Sequence, residues 1–156
     1  MRTIVIGLGN TILTDDGVGI YAARELKKHV LEQDIEIAEA SLAGMRLLEI
    51  VNGYDRLIIV DSIKTENGTP GQIYRLEPDK MNMPMRLSSL HDTDLLSALK
   101  LGEKLGYSMP ADVIIIAIEV ADNTLISEHL TSEVEAAFPI LIEAVIKEIK
   151  RCHAMS

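Results

Sequence analysis

Tryptophan is missing from this sequence, and other aromatics are scarce: one phenylalanine and four tyrosines. The core must therefore be built from aliphatic side chains. There is a single cysteine, which excludes an internal disulfide and points to a reducing compartment. Cys152 falls in a tail beyond the last apolar run, and a reactive thiolate needs a structured electropositive setting, so it is not a candidate nucleophile. Basic residues are outnumbered, 15 Lys and Arg against 24 Asp and Glu, for a formal net charge of -9. Such a surface repels phosphate backbones, and with no Lys/Arg stripe nucleic acid is excluded as a partner. Long hydrophobic runs are lacking too. The first, Ile4–Leu8, is too short for a signal h-region or a membrane span, so the expectation is a soluble, cytoplasmic protein with no membrane partner. Internal repeats and low-complexity linkers are also absent.

What is present is enough for one domain over 1–156. A chain of 156 residues, 47% of them hydrophobic, buries roughly two-thirds of its unfolded surface without a stapling metal. Thr3–Leu8 is β-branched and nearly uninterrupted, as a buried parallel strand is. Val18, Ala22, Leu26 and Val30 recur every four residues, the face of an amphipathic helix of about sixteen residues. Ile35–Ala38 reads as a second strand, and Gly44–Val51 as a short helix stopped by Asn52-Gly53. Arg56–Asp61 is another buried strand. The turn Gly68–Gly71 leads into Gln72–Leu76, an antiparallel edge strand. Glu77–Leu90 has no period and reads as loop. Asp94–Leu105 is helical with Gly106 as the stop, and Asp112–Ile118 is the last strand. Ser132-Glu133-Val134-Glu135 fits a capping box; Pro139 should kink the helix that follows near residue 135. Alternating strands and helices predict an α/β three-layer sandwich, a mostly parallel twisted five-stranded sheet with one antiparallel edge strand and helices on both faces.

In such sheets the ligand site lies beyond the carboxyl ends of the strands. Three metal-capable side chains approach that rim: Asp16 in the loop after the first strand, Asp61 at the end of the third, and His91 in the loop Ser88–Asp92. Two carboxylates and an imidazole leave open positions on a divalent ion, as a catalytic or exchangeable site requires. Each residue taken singly has a plainer reading. Asp15 or Asp16 caps the following helix by default, Asp61 starts a turn, and His91 lies on the surface ahead of a helix capped by Asp92 or Thr93. Two other chemistries compete. Gly7-x-Gly9 suggests a dinucleotide loop, but the third glycine of that fingerprint would fall at Ile12, and Asp15-Asp16 puts negative charge where a pyrophosphate needs amide donors. A Ser–His–Asp arrangement from Ser62 or Ser88 with His91 and Asp61 lacks a G-x-S-x-G elbow; Ser41 has none either.

The pattern G-x-G-N-x-x-x-x-D-[DE]-G-x-G over residues 7–19, the apolar strand ending in Asp61 and the Ser89-x-His91 loop together resemble the nickel-iron hydrogenase maturation endopeptidases. The resemblance runs over nearly the whole chain. It implies a single α/β domain that removes a short C-terminal extension from the precursor of the hydrogenase large subunit after nickel insertion. It also implies that Asp16, Asp61 and His91 are the metal ligands and the catalytic set, and that nickel is supplied by the substrate, held by the large subunit's cysteines. Other divalent ions fit the same donors. Asp16 is the first candidate for a base; Asp15 orients its neighbour or caps the helix. A monomer is expected, since the protease must embrace a large precursor. The same three ligands would also serve a nickel-binding chaperone that docks without cutting. Two stretches depart from the family pattern: Glu39-Ala40-Ser41-Leu42 stands where many relatives have Asp-Gly-Gly-Thr, and Glu119 is followed by Val120 rather than proline. Met81, Met83 and Met85 read as flexible loop packing rather than as nickel ligands.

Overall fold

The structure is a computed structural model that describes residues 1–40, 45–78 and 95–155. Strands β1 (Thr3–Leu8), β2 (Ile35–Ala40), β3 (Arg56–Ile63), β4 (Ile73–Leu76) and β5 (Asp112–Glu119) form one sheet in the order β2-β1-β3-β5-β4. The first four in that order run parallel, and β4 is an antiparallel edge strand on β5. Helices α1 (Val18–His29), α2 (Met45–Val51), α3 (Leu95–Lys104) and α4 (Ser132–Met155) cover it.

Strand alternation sorts the aliphatic residues onto two faces. Val5, Ile58, Val60, Ile114, Ile116 and Ile118 meet Val18, Ala22 and Leu26 of α1 and Val134, Leu141 and Val145 of α4. Ile4, Ile6, Leu8, Leu57, Ile59, Ile63 and Ile115 meet Leu47, Leu48 and Val51 of α2 and Leu95 and Leu99 of α3. The expected three-layer α/β sandwich is thus the observed one. The central strands β1 and β3 are buried along their whole lengths, which is why their sequences are unbroken aliphatic runs rather than alternating ones.

Where α1 begins, the backbones nearly touch. A Cβ on Gly19 would lie 2.2 Å from the carbonyl oxygen of Leu8 and 2.5 Å from that of Val60, and one on Gly7 would lie 2.0 Å from the Gly19 oxygen. The helix therefore enters directly over β1 and β3, closer than any side chain permits.

Several boundaries differ from the sequence reading. β3 runs through Asp61 to Ile63, because its pairing with β5 continues to Ile63–Glu119; Asp61 is inside the strand rather than its last residue. α1 ends at His29, and Val30 turns extended with φ -107°, so the four-residue recurrence overruns the helix by one residue. α4 begins at Ser132, which makes Thr131 the residue before it and moves Ser132 and Glu135 out of capping-box positions. The amide of Glu135 donates to the Thr131 carbonyl at 2.9 Å, the first helical bond. Pro139 is exposed, and α4 continues past it to Met155. Cys152 accordingly lies on that helix rather than in a tail. Gly53 and Gly106, both at φ +90°, end α2 and α3 as their positions suggested.

Arg56 opens β3 with its guanidinium buried. It pairs with Glu148 of α4 at 2.5 Å, and Arg75 of β4 reaches the same carboxylate at 2.8 Å. Arg56 Nε sits 2.9 Å from Asp112 Oδ2, an ion contact whose angle makes no hydrogen bond. Burial raises the Glu148 carboxyl, but the hydrogen bonds and charge of Arg75, with Arg56 and Arg151, outweigh it and hold the group below the ordinary range. Among the described residues no helix is long and apolar enough to cross a membrane.

Candidate active site

The chain leaves β1 at Leu8, crosses the rim of the sheet and makes a 3-10 turn at Thr14–Gly17 before entering α1. A Cβ on Gly9 would lie 2.1 Å from the Asp16 carbonyl oxygen, so the loop folds back on itself at that point. The Asn10 amide donates to the same carbonyl at 3.2 Å, and the Asp16 amide donates to the Leu13 carbonyl at 3.0 Å. Glycines 7, 9 and 19 serve backbone packing, and the motif that resembled a dinucleotide loop is a device for seating Asp16.

Thr14 adopts φ +49°, an uncommon conformation for a β-branched residue. Its amide donates to the Ser127 carbonyl at 3.0 Å, and its hydroxyl donates to the Leu125 carbonyl. Neighbouring bonds continue the contact. The Ser127 amide donates to the Ile12 carbonyl at 3.0 Å, and the Asp15 amide to the Asp122 carbonyl at 3.0 Å. Residues 12–15 are thereby zipped to the connection between β5 and α4.

Both carboxylates of the doublet are buried, and they point to different partners. Asp15, fully buried, does not cap α1; no side-chain cap bond is made at that helix or at the preceding turn. Its Oδ2 accepts from the amides of Ala121 at 2.9 Å and Asp122 at 3.0 Å, and its Oδ1 from the amide of Thr131 at 2.7 Å. The Thr131 hydroxyl adds a fourth donor, 2.8 Å from Oδ2. Asp16 instead faces β3, where its Oδ1 accepts from the Ser62 hydroxyl at 3.2 Å. The amide of the same Ser62 donates to Asp61 Oδ1 at 2.7 Å. Asp61 and Ser62 are both fully buried. Ser62 therefore joins the two carboxylates that sequence reasoning had placed at the rim. Alternation along β3 puts Asp61 with Ile59 and Ile63, on the side of the sheet covered by α2 and α3.

His91 lies outside the described residues, as do Ser41, Ser88, the methionines at 81, 83 and 85, and the side chain of Cys152. Among the described residues no group of three His, Cys, Asp or Glu side chains is arranged to hold a metal ion; Asp16 and Asp61 supply two carboxylates and no third ligand. The serine-nucleophile alternative loses ground at Ser62, whose buried hydroxyl is engaged with Asp16.

Glu119, which precedes the departure from the family pattern at Val120, has a structural task that spacing alone did not reveal. Its buried carboxylate accepts from the Thr65 amide at 2.7 Å, the Thr65 hydroxyl at 2.6 Å and the Tyr74 hydroxyl at 2.9 Å. It fixes the segment that leaves β3 just beyond Asp61. Burial and the Glu119 carboxylate together push the Tyr74 hydroxyl above the usual phenol range. Residues Lys64–Gly68, Gln72 and Tyr74 line an open depression there. A second depression is lined by Gly9–Thr11, Ile20, Arg24, Glu39 and Ala40. In it Arg24 holds Glu39 by two bonds of 3.1 Å, which lowers the Glu39 carboxyl below its usual range.

The family model described as hydrogenase maturation protease matches residues 20–148, a span that contains Asp61 and His91 and begins after Asp16. The hydrogenase 2 maturation protease of Escherichia coli is 28% identical over 156 residues, covering 96% of this chain and 92% of that protein. The hydrogenase expression/formation protein HupD of Rhizobium leguminosarum is 28% identical over 152 residues, covering 96% of this chain and 74% of that one. The solved structure of the hydrogenase maturating endopeptidase HybD from E. coli superposes with a TM-score of 0.77 at 26% identity, covering 97% of this chain and 94% of that one.

Proposed function

Because the chain belongs to the hydrogenase maturation protease family, we propose that it is the endopeptidase that trims the C-terminal extension from the nickel-iron hydrogenase large subunit once nickel has been inserted. The observation that carries this reading is the pair of buried carboxylates, Asp16 and Asp61, brought to one serine at the carboxyl end of the central strand. A rim of this kind is where a parallel α/β sheet presents its ligands. His91, four positions before the first residue of α3, completes the proposed set as the nitrogen donor.

Nickel enters this scheme as part of the substrate. The precursor's cysteine thiolates are soft donors, whereas Asp16 and Asp61 offer hard oxygens and His91 an intermediate imidazole. An ion held by the precursor with positions to spare accepts these three groups, and the scissile bond is fixed next to the protease. Such an ion polarises a nearby carbonyl or acidifies a bound water. The chain's own part is to hold two buried carboxylates ready in fixed positions. The Ser62 hydroxyl orients one oxygen of Asp16 and its amide one oxygen of Asp61.

The test is to incubate the protein with nickel-loaded and metal-free large-subunit precursor and follow the precursor mass. Loss of a C-terminal segment from the loaded form alone is expected. Cleavage of the metal-free form at the same rate would remove the role of nickel, and a stable complex of unchanged mass would select a chaperone instead. Asp16→Ala, Asp61→Ala and His91→Ala are each expected to lower cleavage at least about a hundredfold while circular dichroism stays that of the parent. Full activity in any one of them takes that residue out of the site.

A further inference from the structure

We propose that Asp15 and Thr131 form a latch that positions Asp16, so that the connection between β5 and α4 sets the geometry of the site without touching substrate. The inference rests on the reading of Asp16 as a site residue.

The turn that carries Asp16 is held only in part by its own sequence, through the bonds among Asn10, Leu13 and Asp16. It is a single 3-10 turn of four residues, and it opens at Thr14 with φ +49°. A β-branched residue in that region is strained by about 1–3 kcal/mol and persists only where its surroundings over-determine it. Here the surroundings lie more than a hundred residues away in the chain. Asp15 gathers three backbone amides and one hydroxyl from 121, 122 and 131, and residues 12–15 exchange backbone bonds with 122–127.

Successive side chains in a 3-10 turn diverge by about a third of a circle. A carboxylate locked on one side therefore fixes the direction of its neighbour. With Asp15 tied to the β5–α4 connection, Asp16 is directed at Ser62 on β3. Thr131 is the residue through which this adjusts. It precedes α4 and gives both its amide and its hydroxyl to Asp15, so the long helix, packed on the sheet through Val134, Leu141 and Val145, anchors the turn.

A merely structural carboxylate would alter stability and leave the site's geometry alone. Three variants separate the cases. Asp15→Asn removes one acceptor oxygen and the charge; Thr131→Val removes the hydroxyl and keeps the shape; Thr131→Ser restores the hydroxyl. With nickel-loaded precursor, Thr131→Val is expected to lose kcat by roughly tenfold or more, as small misplacements of catalytic groups do, with KM little changed and Thr131→Ser recovering most of the loss. Should Asp15→Asn fail to fold, Thr131→Val carries the measurement. Wild-type kcat in Thr131→Val, whatever its melting temperature, overturns the proposal.

A crystal structure of Thr131→Val gives a readout that does not depend on the proposed activity. Displacement of Asp16 from Ser62 supports the latch. Retention of the Asp16–Ser62 bond at its present 3.2 Å overturns it. Failure of the parent protein to cut any precursor would refute the proposed function while this structure still decides the latch.

Discussion

Ser62 is the residue on which the two chemistries considered for this rim diverge. As a donor that orients Asp16, its hydroxyl contributes a charge-assisted bond, and Ser62→Ala is expected to lower cleavage of loaded precursor by roughly ten- to a hundredfold. As a nucleophile, its removal would lower the rate by about a millionfold. A single-turnover assay of Ser62→Ala distinguishes the two, and loss of all detectable cleavage would return Ser62 to the nucleophile role. The placement of Asp16 and Asp61 toward the carboxyl ends of the strands was legible in the sequence because the aliphatic runs of β1 and β3 announce themselves. Ser62 was legible only as one candidate hydroxyl among several, because a side chain that links two others has no periodicity of its own. Glu119 was hidden for a related reason: its partners Thr65 and Tyr74 lie in a turn and an edge strand whose meeting is settled by the β4–β5 register.

At the scale of elements, the three layers could be read from aliphatic runs and four-residue recurrences, since burial on two faces leaves that imprint. The boundaries were less readable because they depend on neighbours: β3 extends past Asp61 because β5 is there to pair with it. α4 starts one residue earlier than its sequence suggests, and Thr131 before it gives its hydroxyl to Asp15, which no local capping rule anticipates. The contact between α1 and the sheet makes a sharper prediction. Gly19→Ala would force a Cβ to 2.2 Å from one carbonyl and 2.5 Å from another, and backbone on both sides cannot withdraw. A loss of about 3 kcal/mol or more is expected, seen as a fall of roughly 6–12 °C in melting temperature. Gly106→Ala is the control: φ is also unfavourable at +90°, but nothing lies within 4 Å, so the loss should stay near 1–2 kcal/mol. Equal effects at the two positions would contradict the account of helix seating.

For the whole molecule, the ion cluster of Arg56, Arg75 and Glu148 ties β3, β4 and α4 together. The folded Glu148 carboxyl is held below its ordinary value, so its contribution is present above an unfolded pKa of about 4.3 and is lost as pH falls through the lower folded value. Glu148→Gln is expected to cost about 3 kcal/mol at neutral pH, because the buried Arg56 loses its buried counter-charge and keeps only the exposed Asp112. The gap between variant and parent should close toward pH 3. Melting curves across that range check it, and a gap independent of pH would mean that packing rather than charge is at stake.

The latch between residue 15 and residues 121–131 also bears on when the protein becomes competent. Synthesis delivers Asp16 and Asp61 early, yet the anchor that aims Asp16 is encoded in the last quarter of the chain. A ribosome-tethered fragment ending before Thr131 would hold both carboxylates and lack the amide and hydroxyl that tie down Asp15, so on the latch proposal the site is completed only late in translation.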